Sequence, residues 1–382
     1  MRPSGKRTLI PGSHRKPMAG AKAVGPVDPA ARAEVSLRLR PKKSAARSVR
    51  AALKTTSELP ARRTYLSREE FASVCGADAA DLRRIDDFAR EHNLTVTGVN
   101  VAARTVKVAG AVGDLSAAFG AKLQQYEGAG VSYRGRTGPL SLPSALSGVV
   151  EAVYGLDNRP VAQPHYRVRQ SSKKKVSRAR ALPRNAPDGS FSTPEIAKLY
   201  SFPTGLDGTG QCIAIIELNS VDENGKPTGT GFQASDLKSY FGSLGRSVPA
   251  VAAIGVDGGA NVPGQDPGAD GEVALDIEVA GAIAPGAQIA VYFAPNTTAG
   301  FIDAVNAALH DNVRQPAIVS ISWGGPEDGA PQQFLDGLDA AFEDAAALGV
   351  TVCCASGDNG SADMGTDGWD RKPHADFPSS AP

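Results

Sequence analysis

Cysteine is scarce in this 382-residue sequence, which holds only Cys75, Cys212, Cys353 and Cys354. Their spacing suits neither a disulfide framework nor a zinc site. Cys353 and Cys354 fall in an apolar, strand-like run, where small core residues are expected. Histidine is almost as rare, with five residues. His14 and His165 lie in basic stretches expected to be flexible, and His92 and His310 close helices. His374 sits in a polar loop, and no Ser-His-Asp arrangement is evident. There is no run of eighteen apolar residues, which argues against a helical membrane span. The start, Met1-Arg-Pro-Ser-Gly-Lys-Arg7, is basic but has no apolar stretch behind it, so no standard secretory signal is visible.

Net charge is also nearly absent, at +1, but this hides an asymmetry. Residues 1–190 carry 34 Lys and Arg against 15 Asp and Glu, while residues 191–382 carry 7 against 25. Balances of +19 and −18 imply two halves that attract each other. Protonating the acidic half should weaken that attraction while the basic half stays charged, so a pH switch is expected.

The length fits two domains. Residues 1–30 are rich in Pro, Gly and basic residues and are expected to be disordered. Residues 31–165 read as a small α+β unit. Its strands are Glu34–Arg40, Leu94–Val101 and Thr105–Ala109. Its helices begin at Ser67 with a Ser67/Glu70 capping box and then cover Ala79–His92, Asp114–Gly120 and Ser144–Tyr154. Residues 166–190, with the run Lys173-Lys-Lys-Val-Ser-Arg-Ala-Arg180, read as an exposed linker open to proteolysis. No aromatic residues interleave with these charges, so a nucleic-acid partner is not expected. From residue 191, unbroken apolar strands at Gln211–Leu218, Ala287–Ala294, Ala317–Ser322 and Val350–Ala355 are separated by helices at Phe301–His310 and Gln332–Leu348. This alternation predicts a parallel sheet covered on both faces, with ligands beyond the carboxyl ends of its strands. Glu217, Trp323-Gly324-Gly325 and Asp358 fall at or just after those ends.

Glu272 and Asp276 are four residues apart in an otherwise apolar helix, which puts both carboxylates on one face. Burying adjacent acids is costly unless they share a proton or meet a partner. General acid/base work, a calcium site or a satisfied structural pair would each explain them. A two-carboxylate glycosidase fits poorly, because its acids flank a sugar cleft from different elements.

Five segments carry a specific resemblance: Ile215-Ile-Glu-Leu218, Asp270-Gly-Glu-Val-Ala-Leu-Asp276, Ala294-Pro-Asn-Thr297, Ser320-Ile-Ser-Trp-Gly-Gly-Pro-Glu-Asp328 and Gly357-Asp-Asn-Gly-Ser361. In order and spacing they resemble the sedolisin family of serine-carboxyl peptidases, of the kumamolisin type. The likeness runs from about residue 192 onward, and the basic half resembles that family's activation prodomain. It implies a partial α/β subtilisin-like parallel sheet over residues 191–382, preceded by an α+β ferredoxin-like prodomain over 31–165. It also implies acid-active serine endopeptidase chemistry on protein or peptide substrates, and a location that is secreted or extracellular. Under the resemblance, Glu272 is the general base and Asp276 its carboxylate partner. Asp358 is the protonated oxyanion donor, and Glu217 and Trp323 extend the hydrogen-bond network. The family's nucleophile lies in Gly-Thr-Ser, which does not occur in this sequence. Its calcium ligands, expected further along, are missing too, so Ca2+ is implied without ligands among these residues. The expectation is therefore an incomplete precursor, inactive alone. The alternative is a non-catalytic protein whose prodomain binds or inhibits a related peptidase.

Overall fold

The computed structural model describes residues 6–42, 49, 58–59, 62–128, 130–165, 191–221, 227–363 and 370–382. The expected linker 166–190 lies outside the described residues. In the basic half, β1 (Arg7–Leu9) and β2 (Lys22–Pro26) precede β3 (Arg32–Leu39), α1 (Arg68–Cys75), α2 (Ala79–Glu91), β4 (Thr95–Asn100) and β5 (Thr105–Ala111). Then come α3 (Val112–Phe119), β6 (Leu123–Gly128), β7 (Val131–Arg136), β8 (Ser141–Pro143), β9 (Val150–Tyr154) and β10 (Gln163–Pro164). The antiparallel sheet β4-β5-β3-β9 carries α2 and α3 on one face, where Leu37, Ile85, Phe88, Val108, Leu115 and Phe119 form the core. The capping box is present: Ser67 Oγ accepts from the Glu70 amide and Glu70 accepts from the Ser67 amide.

Two expectations fail here. The stretch 1–30 is structured from residue 6 on, because β1 pairs with β8, β2 pairs with β6, and Ile10 is buried. Strands this short, with mostly exposed side chains, leave no apolar periodicity to read. Ser144–Tyr154 is one 3-10 turn followed by strand β9, not a helix.

The acidic half begins with α4 (Thr193–Leu199) and β11 (Cys212–Val221), followed by β12 (Pro227–Thr228), α5 (Ala234–Ser243), β13 (Val251–Gly255), α6 (Pro267–Ile283) and β14 (Gln288–Pro295). It continues with α7 (Thr298–Leu309), β15 (Ile318–Ile321), β16 (Trp323–Pro326), α8 (Gln332–Leu348), β17 (Thr351–Cys354) and β18 (Asp376–Phe377). Strands β13-β14-β11-β15-β17 pair in that order, all parallel. Alternation along β11 sends Ala214, Ile216 and Leu218 toward α7 and α8, and Ile213 and Ile215 toward α5 and α6. Glu217 shares the parity of Ile215 and so points to the α6 side. Cys353 is exposed, against expectation, because β17 is the last strand of the described sheet and that position is left uncovered. The basic half's sheet lies on α7 and α8. Tyr154 donates to the Gln333 carbonyl at 3.0 Å, and Arg104 pairs with Asp344 at 2.9 Å.

Candidate active site

Helix α6 starts where Asp266 caps it, accepting from the Gly268 and Ala269 amides, with Pro267 in the first turn. Asp270 accepts from the Gly231 and Gly264 amides and ties two loops to the helix start. One turn on, Glu272 is buried, and Asp276 follows half-buried on the same face. The helix is less enclosed than its composition suggests, with Leu275 and Val279, one turn apart, each 41% exposed.

The expected residues converge at the carboxyl edge of the parallel sheet. Ser322, just past β15, places its Oγ 3.0 and 2.9 Å from the two Asp276 oxygens. The Trp323 indole donates to Glu217 Oε2 at 2.8 Å, inside a site where Glu217 has no solvent contact. Glu217 Oε1 and Glu272 Oε2 are buried without a partner. Asp358, after β17, stands close enough to bear on the charge of Glu272 and of His165.

Burial is the main force on these acids, since it penalises the charged form. It pushes Glu272 up to about 8, helped by the Asp276 charge and opposed by the Ser322 hydroxyl. Burial lifts Asp276 to about 6, again opposed by Ser322. Glu217 is held well above the usual carboxylate range by burial and then by Asp276, against the Trp323 hydrogen bond. Three acids this close titrate as a set, and at neutral pH Glu272 keeps its proton while Asp276 is mostly ionised.

The basic half closes the site. Strand β10 adds antiparallel to β16, with Gln163 opposite Gly324 and Pro164 opposite Trp323. The His165 amide donates to the Ser322 carbonyl at 2.9 Å. Asn296 holds the incoming chain: its Oδ1 accepts from the Val161 and Ala162 amides at 3.1 Å, and its Nδ2 donates to the Ala162 carbonyl at 2.8 Å. At Gly324 an added Cβ would sit 2.5 Å from Asp376 Oδ1 and 2.8 Å from His165 Nε2, so only glycine admits this approach. His165, expected in a flexible stretch, is buried with Nε2 3.1 Å from Asp376 Oδ2. Burial lowers its affinity for a proton, but the Asp376 hydrogen bond and charge raise it further, and the net direction is up. His374 contacts Asp328 at 2.8 Å and Asp370 at 3.0 Å, away from the acids.

Ser322, Asn296 and His165 are the residues that sequence reasoning missed. The first two stand inside the quoted segments, so their position was the signal. His165 had none. Among the described residues, no group of three or more His, Cys, Asp or Glu is placed to hold a metal ion, and no step below passes through calcium.

Residues 19–159 match the family model described as pro-kumamolisin, activation domain. Kumamolisin from Bacillus sp. (strain MN-32) is 44% identical over 379 residues, covering 99% of this chain and 65% of that protein. The chain is a kumamolisin-like member of the sedolisin family. Tripeptidyl-peptidase sed5 of Aspergillus fumigatus is 27% identical over 343 residues, 84% of this chain and 56% of its own length. A solved structure of Pseudomonas sedolisin, complexed with two molecules of pseudo-iodotyrostatin, aligns over 50% of this chain and 51% of that one, at 24% identity and a TM-score of 0.42. The chain thus spans between about half and two thirds of the curated relatives' length. The match to the activation-domain model ends at residue 159, just before β10, the strand that enters the acid site.

Proposed function

We propose that this chain is the precursor part of an acid-active serine-carboxyl endopeptidase, in which the basic half is an inhibitory prodomain. The observation that carries the reading is β10: a segment of the chain's own basic half lies as an added strand beside Gly324, across the buried acids. Extended peptides bind sheet edges in this way, through backbone hydrogen bonds that accept many sequences. In this reading residues 31–165 are a ferredoxin-like prodomain, and residues 191–382 are the first part of a subtilisin-like peptidase domain.

The proposed roles are these. Glu272 takes the proton from a serine hydroxyl, and Asp276 shares that proton and is steadied by Ser322. Glu217 and Trp323 fix the far side of the set, and Asp358 donates to the oxyanion. A neutral carboxyl can donate only while protonated, which suits acid conditions. With β10 in place Glu272 is dry and protonated, so it cannot act as a base. Withdrawing β10 lets water in and lowers its proton affinity. The serine itself is assigned to polypeptide beyond these 382 residues, since Gly-Thr-Ser is absent from them. Export into an acidic exterior completes the reading.

The same strand favours a second activity, inhibition of related peptidases in trans by residues 1–165. The deciding test is casein hydrolysis at about pH 4 by the 382 residues alone and by the chain continued through a Gly-Thr-Ser segment. Turnover only in the longer chain, lost with Glu272→Ala, is expected. Turnover by the shorter chain, or full activity in the variant, would refute the assignment.

A further inference from the structure

Away from the acid site, three arginines crowd one carboxylate at the seam between the halves. Arg159 grips Asp157 with two hydrogen bonds, Nε to Oδ1 at 2.7 Å and Nη2 to Oδ2 at 2.6 Å. Its guanidinium lies 4.8 Å above the Tyr133 ring. Arg15 reaches the same carboxylate only at 3.8 Å. Arg136, 4% exposed, donates Nη1 to the Gly138 carbonyl at 2.6 Å, while its Nε is buried with no partner. All three guanidiniums are buried, and among the described residues Asp157 is the carboxylate that bears on Arg15 and Arg136, as it does on the neighbouring Arg134, so positive charge is in excess. Such an excess is costly in a dry site, and arginine does not shed its proton to relieve it. Burial, together with the neighbouring guanidiniums, lowers Arg15 and Arg136 only to about 10, so both remain charged at neutral pH.

Beside them is a cavity of about 20 Å³, lined by Arg15, Arg136 and Asp157 together with Ser13, Thr298 and Gln333. That volume takes one water-sized particle and excludes phosphate or a carboxylate ligand. We propose that this cavity is a halide site, holding one chloride-sized anion between Arg15 and the free Nε of Arg136. Its walls come from the N-terminal segment, the activation domain and the acidic half, so an anion bound there strengthens their docking. Binding to the docked form alone stabilises it by mass action.

Bromide is the probe. Crystals of the full chain soaked in sodium bromide should show an anomalous peak within hydrogen-bond reach of Arg136 Nε. In solution, sodium chloride should raise the melting temperature saturably, by about 4 °C, over sodium gluconate at equal ionic strength. Arg136→Met should abolish that difference. If this variant does not fold, the wild-type comparison of the two salts still decides. No bromide peak, and identical melting in chloride and gluconate, would overturn the proposal.

Discussion

At the scale of single residues, the proposed chemistry rests on acids whose proton affinity is raised by burial. Glu272 is raised in the folded chain above its unfolded value, so its contribution is fully present below the unfolded pKa and is lost as pH rises through about 8. Resistance to urea should therefore fall between about pH 4.5 and 8, and Glu272→Gln should flatten that slope. An unchanged slope in the variant would assign the pH dependence to other groups. Ser322→Ala removes the hydroxyl that favours the charged form of Asp276, so Asp276 should titrate higher, as read by carboxyl NMR. The quoted segments made Glu217, Glu272, Asp276, Trp323 and Asp358 legible, because each falls at a strand end or on one helix face. His165 was not legible, since only the fold brings it to Asp376 across more than two hundred residues.

At the scale of elements, the clearest feature is a strand held by one amide side chain. Asn296 makes three hydrogen bonds to the backbone of Val161 and Ala162, each contributing about 1 kcal/mol net. Asn296→Ala should speed hydrogen exchange at the amides of Val161, Ala162 and His165 by about tenfold or more, without altering exchange in β11 or β14. Equal exchange in the two proteins would show that β10 is held by other contacts. The parallel strands were readable because both faces are buried and their sequences are unbroken apolar runs. Strand β9 misled because Leu146, Val149, Val150, Val153 and Tyr154 also fit helical spacing. In the fold, Val150 and Val153 join the activation-domain core while Ala152 and Tyr154 join the core over α7 and α8. A register shift between Leu39 and Arg38 lets both sets be buried.

Across the whole molecule, the charge split is realised as a docking seam. Arg104 pairs with Asp344, Lys107 contacts Asp257 and Asp303, and Arg68 donates to the Leu309 and Pro316 carbonyls. The pH switch expected from the carboxylates has the wrong sign at two of them. Burial raises Asp303 and Asp344 despite their cationic partners, so protonating them favours the docked form. His310 has the sign that acid release needs. It closes α7 against Phe71, whose ring lies 5.3 Å away, with both ring nitrogens buried and unpartnered. Burial first, then Arg104, Arg68 and Arg38, lower it to about 3. In the undocked chain it returns toward its ordinary value, so acid pulls the halves apart by up to about 3 kcal/mol near pH 4.5. His310→Phe should keep residues 161–165 protected from proteolysis at that pH, where the parent chain exposes them. Loss of protection at the same pH in both would remove His310 from the switch.

The coupled, proton-holding pair beneath β10 is most directly tested by carboxyl NMR of the full chain, labelled at Glu and Asp side chains and titrated from about pH 3 to 9. The predicted result is Glu272 changing near pH 8 and Asp276 near pH 6, each moving when the other is replaced by its amide. Independent titration of both near the ordinary value of about 4 would contradict it.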